Sequence, residues 1–325
     1  ATKLEISNLK VKHSNAMDEL HNLEEMLVVE QGELMRRVRR GGTYRCIAFN
    51  EGNAHTNNIL GAAVGGVPAC VSTSGAVLLM FTLGTGKCQR ASAVGVVPDT
   101  SDGAARGATV DAGHKKPITC VCFTGNRVYT GSMDCTVRSW NAEDFGGRLP
   151  PACLFVMRGH TATVTAVKAA PRFVVSAGAD MMIFIWCPET GMMFRQVRGL
   201  ESSVRALGVT SNAIVAGTTN GTVRVWDVAG TPANPASHLR PLHALAGHHD
   251  AVTAVAVSET EAVSGDRLGV VITWDITDGK ALRVIKAHDR AITALQFDAT
   301  RIVTAAHDQF VKVMDVATGN TLRSL

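Results

Sequence analysis

Eleven histidines and eight cysteines are the side chains of this 325-residue chain best suited to chemistry, as metal ligands, nucleophiles or general bases. Their spacing argues against most of it. The cysteines are Cys46, Cys70, Cys88, Cys120, Cys122, Cys135, Cys153 and Cys187, and no two form a Cys-x-x-Cys pair. Cys120 and Cys122 stand two apart in an apolar run, so on a strand both face one side, a poor spacing for zinc. These thiols are expected to be reduced, mostly buried packing residues, which points to a reducing compartment. His248-His249 is the one adjacent histidine pair, and no helical histidine spacing accompanies it, so no metal and no cofactor is expected. Gly84-Thr85-Gly86-Lys87 looks like part of a phosphate loop, but Cys88 follows where Ser or Thr is required. The same slot later reads Glu189-Thr190-Gly191-Met192 and Ala317-Thr318-Gly319-Asn320, so it is a recurring turn.

Five histidines instead obey a ruler. His55, His114, His160, His248 and His288 each precede a large apolar residue by 26 positions: Phe81, Trp140, Trp186, Trp274 and Met314. Leu200 stands 26 before Trp226 and completes six registers. The registers themselves lie 59, 46, 40, 48 and 40 residues apart. A constant interior with variable joints is what a structural repeat with loop insertions produces. Each register alternates like a strand, as in 252–257 and 292–297. A small-residue strand follows, as in 127–132, then a tight turn such as Met133-Asp134-Cys135 or Asn220-Gly221. A strand ending at the aromatic and a fourth strand after a Gly turn complete about forty residues per unit.

These residues resemble the WD-repeat family over positions 43 to 325, which implies an all-β propeller of four-stranded blades. Six blades are visible. Tyr44 to Phe49 fits an outermost strand that could close the ring, yet Thr321 to Leu325 looks like an outer strand too, which leaves a seventh blade open. The resemblance also implies a buried polar tetrad in each blade. In the second unit it is His114, Thr130, Asp134 and Trp140, and in the third His160, Ser176, Asp180 and Trp186. Each member satisfies the next, so removing one strands the others. No Ser–His–Asp or paired-carboxylate set stands apart from these tetrads, so no catalysis is expected. The sixth unit has His288, Thr304 and Asp308 with Met314 for Trp, and the fifth has Leu268 in the Asp slot. The fourth keeps only Trp226, with Asn220 for Asp, and the first keeps His55 and Phe81. The first and fourth blades should therefore be the weaker ones.

Residues 1–40 read as a separate α-helical segment before a propeller at 41–325. With Ile6 as position a, the a and d series hold Leu9, Leu20, Leu23, Leu27 and Leu34, and seven of ten positions are apolar. Such a helix could self-associate or pair with a partner as a short coiled coil, or pack on its own propeller. Arg36, Arg37, Arg39 and Arg40 could meet RNA or acidic lipid, or simply cap the helix C-terminus. Hydrophobic content is 46% and charged content 18%, ample for a core, and a net charge of +4 does not by itself demand nucleic acid. No apolar run spans a bilayer and no signal-like N-terminus appears, so an intracellular location is expected, cytoplasmic with nuclear as the alternative. Ala1 in place of Met suggests a processed chain or a piece of a longer one.

In the resembled family, binding falls on loops at one end of the ring. The residue after each His gives Thr56, Lys115, Thr161, Glu201, His249 and Asp289, and the residue before each turn Asp gives Ser74, Met133, Ala179, Thr219, Arg267 and His307. Mixed charge without an Arg cluster or interleaved aromatics fits a protein or peptide better than a phosphopeptide or nucleic acid. The leading expectation is a non-catalytic scaffold or adaptor that assembles protein partners. The layout is similar to that of several ubiquitin-ligase, autophagy and membrane-fission adaptors. The alternatives are an RNA-associated subunit using Arg36 to Arg40 and a non-catalytic part of a longer enzyme.

Overall fold

The computed structural model describes residues 113–142, 153–228, 239, 241–298 and 300–325, together with the backbone of four strands between 59 and 91. The N-terminal segment, with its proposed interface leucines and basic run, lies outside the described residues. So do the side chains of the first register.

Among the described residues the chain forms six antiparallel four-stranded sheets, each made of four consecutive strands. Blade 1 comprises β1 (Ile59–Val64), β2 (Ala69–Ser74), β3 (Val77–Thr82) and β4 (Cys88–Ala91). Blade 2 comprises β5 (Ile118–Thr124), β6 (Arg127–Ser132), β7 (Thr136–Asn141) and β8 (Cys153–Arg158). Blade 3 comprises β9 (Val164–Ala170), β10 (Phe173–Gly178), β11 (Ile183–Trp186) and β12 (Met193–Val197). Blade 4 comprises β13 (Val204–Val209), β14 (Ala213–Thr218), β15 (Val223–Asp227) and β16 (His243–Leu245). Blade 5 comprises β17 (Val252–Val257), β18 (Glu261–Asp266), β19 (Val270–Asp275) and β20 (Lys280–Lys286). Blade 6 comprises β21 (Ile292–Phe297), β22 (Arg301–Ala306), β23 (Val311–Asp315) and β24 (Thr321–Ser324). The outer strand of blade 6 is thus β24, so Tyr44 to Phe49 is not needed to complete that sheet.

The first strand of each blade packs beside the first strand of the next, from β1 on β5 through to β17 on β21. Both faces of a middle blade are therefore buried, and its second strand reads as a nearly continuous buried run, as in β10 and β14. One apolar cluster joins each pair of neighbours from blade 2 onward. Val175, Ile185 and Val204 belong to the cluster between blades 3 and 4, and Val263, Val271 and Ile292 to the one between blades 5 and 6. Close approach is built into this packing. A Cβ on Gly265 would come within 2.9 Å of the Ile292 side chain.

The tight turn between the second and third strands repeats one left-handed residue in each of blades 2 to 6. It is Cys135, Met181, Gly221, Gly269 and Gln309, with φ of 65°, 60°, 83°, 82° and 72°. Glycine enters this conformation without strain, whereas the three others hold it against a steric cost.

Candidate functional site

The tetrads form as the ruler requires. In blade 3 the His160 Nδ1–H donates to Asp180 at 2.8 Å, the Ser176 hydroxyl meets His160 Nε2 at 2.8 Å, and the Trp186 indole N–H donates to Ser176 Oγ at 2.8 Å. Blade 2 repeats this, with His114 to Asp134 at 3.0 Å, His114 to Thr130 at 2.7 Å and Trp140 to Thr130 at 2.9 Å. The carboxylate also closes the turn. Asp134 accepts Lys115 N–H, and Asp180 accepts Thr161 N–H.

Carboxylate, imidazole and hydroxyl in a row is also the order of a nucleophilic triad. Here the hydroxyl cannot act as a nucleophile. Ser176, Thr130 and Ser264 are wholly buried, and each already accepts an indole N–H. Burial lowers the His160 pKa, with Asp180 opposing it, and burial likewise lowers that of His248, with Asp266 opposing. For Asp134, burial opposes the charge, but hydrogen bonds from His114 and Thr136 outweigh it and hold the carboxyl well below the usual range. Burial thus favours the neutral imidazole at His160 and His248, and the hydrogen bonds favour the ionised carboxyl at Asp134.

Blade 5 corrects the sequence reading. Leu268 occupies the expected Asp slot, yet the tetrad is complete because Asp266 supplies the carboxylate. His248 Nδ1 meets Asp266 at 2.9 Å, Ser264 meets His248 at 2.6 Å, and Trp274 donates to Ser264 at 2.7 Å. Asp266 ends β18 and turns inward, and its second oxygen caps the Leu268 and Val270 amides. Blade 6 keeps His288, Thr304 and Asp308, with the buried Met314 in the tryptophan position. Blade 4 has no tetrad. Leu200 replaces His and Ala216 replaces the hydroxyl, so the buried Trp226 indole N–H has no partner. Asn220 serves the turn alone, bonding Thr218 and Thr222.

The cysteine expectation needs a second correction. Of the five described cysteines, all free thiols, only Cys122 is buried, and Cys120, Cys135, Cys153 and Cys187 are partly exposed. Cys135 sits in a turn and Cys187 in the slot that holds Asp275 and Asp315 in later blades, positions at the ends of strands rather than in the core. Cys120 is partly exposed as a residue, but its sulfur is enclosed against Gly131, and that burial pushes the thiol up to about 12. Among the described residues no group of His, Cys, Asp and Glu could hold a metal, and no helix is long and apolar enough to cross a membrane.

A backbone bond also fixes the rim, in blade 4 as in the blades that carry a tetrad. In five blades the residue before the tight-turn position donates its N–H across the sheet end: Met133 to Pro117, Ala179 to Thr163, Thr219 to Ser203, Arg267 to Ala251 and His307 to Ala291. The His-to-Asp bond then brings the two rim slots of one blade together. Lys115, Met133, Glu201, His249, Arg267, Asp289 and His307 are all exposed. Part of their charge is paired internally, Glu201 with Arg224 at 3.2 Å and Arg267 with Asp250 at 4.0 Å. The sequence reading found one apolar rim residue, Met133, and missed three. Met181, Leu268 and Phe310 lie on the equivalent turns and are 43%, 44% and 50% exposed. A signal was present, since large apolar residues in a turn beside a polar tetrad have no inward route.

Comparison with known proteins agrees with this geometry. The family model for the WD domain, G-beta repeat, matches residues 108–141, 151–187 and 279–315. The sterol regulatory element-binding protein cleavage-activating protein of Xenopus laevis is 29% identical over 56% of this chain and 13% of its own length. Mitochondrial division protein 1 of Eremothecium gossypii is 23% identical over 58% of this chain and 30% of its own. The chain thus spans less than a third of the length of these two relatives. A crystal structure of the computationally designed Ika8 protein superposes with a TM-score of 0.65 at 30% identity, covering 83% of this chain and 75% of that one. Repeated blades, recurring tetrads and these likenesses have one reading, and the chain belongs to the WD-repeat family of β-propellers.

Proposed function

We propose that the chain is a non-catalytic scaffold that binds protein partners on the rim of its blades and through its N-terminal segment, bringing them into one complex. The observation that carries this is the division of labour among polar groups. The buried His, Asp and hydroxyl groups are consumed in pairs within the blades, while the exposed rim combines mixed charge with the apolar Met133, Met181, Leu268 and Phe310. Large apolar side chains on rigidly held turns, with charges between them, suit a protein surface. The same features speak against a phosphopeptide reader at the rim. A phosphate reader wants free arginines, and Arg267 is beside Asp250. Relatives carrying the same repeats include a cleavage-activating protein and a mitochondrial division protein, neither named for a reaction at its repeats.

Quantitative affinity purification of the wild type beside Met133→Glu/Arg267→Glu and beside a deletion of residues 1–40 tests this. One set of partners should fall about tenfold with the rim variant, the scale of a lost hot spot, and another with the deletion. Retention of every partner by both variants would remove the proposed sites.

A further inference from the structure

The first strands of successive blades pack on one another and form the innermost row of strands. A side chain that stays exposed there faces away from the blades, onto the inner wall. The six first strands, β1, β5, β9, β13, β17 and β21, carry two side chains with a standing charge, and both are cations: Lys168 on β9 and Arg205 on β13. No Asp or Glu lies on any of them. The other ionisable groups are Cys120 and Cys122, and burial raises both thiols.

The two cations are neighbours across one blade junction, and both are exposed. The Thr165 hydroxyl meets the Val204 carbonyl at 2.6 Å, so Arg205 starts level with Thr165. Lys168 follows three residues along β9, a rise of about 10 Å that two long side chains can close from either end. Among the described residues neither cation has a hydrogen-bond or ion-pair partner. The rim acids Glu201 and Asp250 face Arg224 and Arg267 instead.

Arg205 stands in a slot that the other blades give to threonine. The register of the first strand shifts at Thr119, Thr165, Thr253 and Thr293 in blades 2, 3, 5 and 6, and at Arg205 in blade 4. Such a bulge frees its residue from the ladder and re-aims it. Thr165 uses this freedom to bond the Ala177 carbonyl at 3.1 Å and the Val204 carbonyl of the next blade, and Thr253 does so with Gly265 and Ile292. Thr119 does so with Gly131 and Val164. Arg205 has no hydroxyl, so blade 4 gives up this tie to blade 5, as it gives up the tetrad. A local rule broken with no structural return marks a functional position.

We propose that the inner wall at the junction of blades 3 and 4 is a carboxylate site, in which Arg205 and Lys168 take an Asp or Glu side chain of a partner polypeptide. A guanidinium fork matches the two oxygens of a carboxylate, and the ammonium adds a point charge beside it. The hydroxyls of Thr165 and Thr253 are already committed to carbonyls, so the wall offers no further set of donors for a phosphoryl group with three acceptor oxygens. The site is apart from the rim and does not rest on the rim reading.

The probe is a peptide array in which one central position is Glu, Asp, Gln or Asn and the flanks are randomised, overlaid with the fluorescently labelled full chain. Acidic pools should retain about tenfold more protein than their amide counterparts, and the ratio should shrink between about 50 and 300 mM salt. Arg205→Gln/Lys168→Gln should abolish the preference. Arg172→Gln, which removes an exposed cation from the turn between β9 and β10, should leave it intact. Equal retention of acidic and amide pools, a preference that survives the double substitution, or one lost equally with Arg172→Gln would overturn the proposal. So would displacement of the acidic pools by inorganic phosphate at about 1 mM, which would assign the cations to a phosphoryl ligand. The melting temperature of the double variant should not fall, since two like charges lose their repulsion. A fall of about 4 °C or more would show the cations paired within the chain and would equally exclude the site.

Discussion

Blades 3 and 4 are neighbours whose second and third strands both bury their apolar residues, but they satisfy their polar groups differently. Val174, Val175, Ile183 and Ile185 in blade 3 are as fully excluded from water as Ile214, Val215 and Val223 in blade 4. Blade 3 threads its interior with Asp180, His160, Ser176 and Trp186, whereas blade 4 puts Leu200 and Ala216 in the same places and leaves the Trp226 N–H without a partner. Apolar packing against two neighbours is therefore enough to form a blade. The tetrad contributes the tie between the rim and the blade interior, because it joins the residue after His to the tight turn.

The sharpest way to break this comparison is to take the hydroxyl from blade 3. Ser176→Ala strands both the Trp186 N–H and the His160 Nε2, and it should lower stability by about 2 kcal/mol, within the range for unsatisfied buried groups, as read in urea melts. A loss no larger than that of an exposed Ser→Ala change would mean the tetrad is incidental.

Acid offers a second probe. The folded pKa of His160 and His248 lies below the ordinary 6.5, so between those limits the unfolded chain binds more protons than the folded one. Their contribution is complete above pH 6.5 and is lost as pH falls through the folded value. The depressed Asp134 and Asp308 act in the same direction further down, with stability present above the unfolded carboxylate value and lost as pH drops through the folded one. Amide exchange should therefore show protection in β9 to β11 declining between pH 7.5 and 5.5 more than in β13 to β15, where no buried histidine lies. Equal decline in both would contradict the assignment.

The smallest effect comes from repairing blade 4. Ala216→Ser should offer the Trp226 N–H an acceptor and raise stability by about 1 kcal/mol, the usual net worth of a hydrogen bond. A fall would mean that the pocket has no room for the oxygen.

Much of this was legible in the residues themselves. The 26-residue interval between His114 and Trp140 or His160 and Trp186 announces a strand register, because partners within one sheet sit at fixed offsets along the chain. The tetrads of blades 2 and 3 and the exposed rim slots follow from that register. Asp266 was not legible. A carboxylate two residues early can reach the same imidazole only because β18 ends with its last side chain turned inward, and residue spacing does not encode that direction.

The repeat, the four-stranded unit and the tetrads of blades 2 and 3 follow from residue order alone, since these are local offsets inside a single sheet. Which faces are covered depends on how one sheet packs on another. Val263 and Val303 occupy the same slot of the repeat, yet one is sealed and the other is 39% exposed. The difference lies in whether another sheet stands opposite, and burial of a face depends on that neighbour rather than on the strand that bears it.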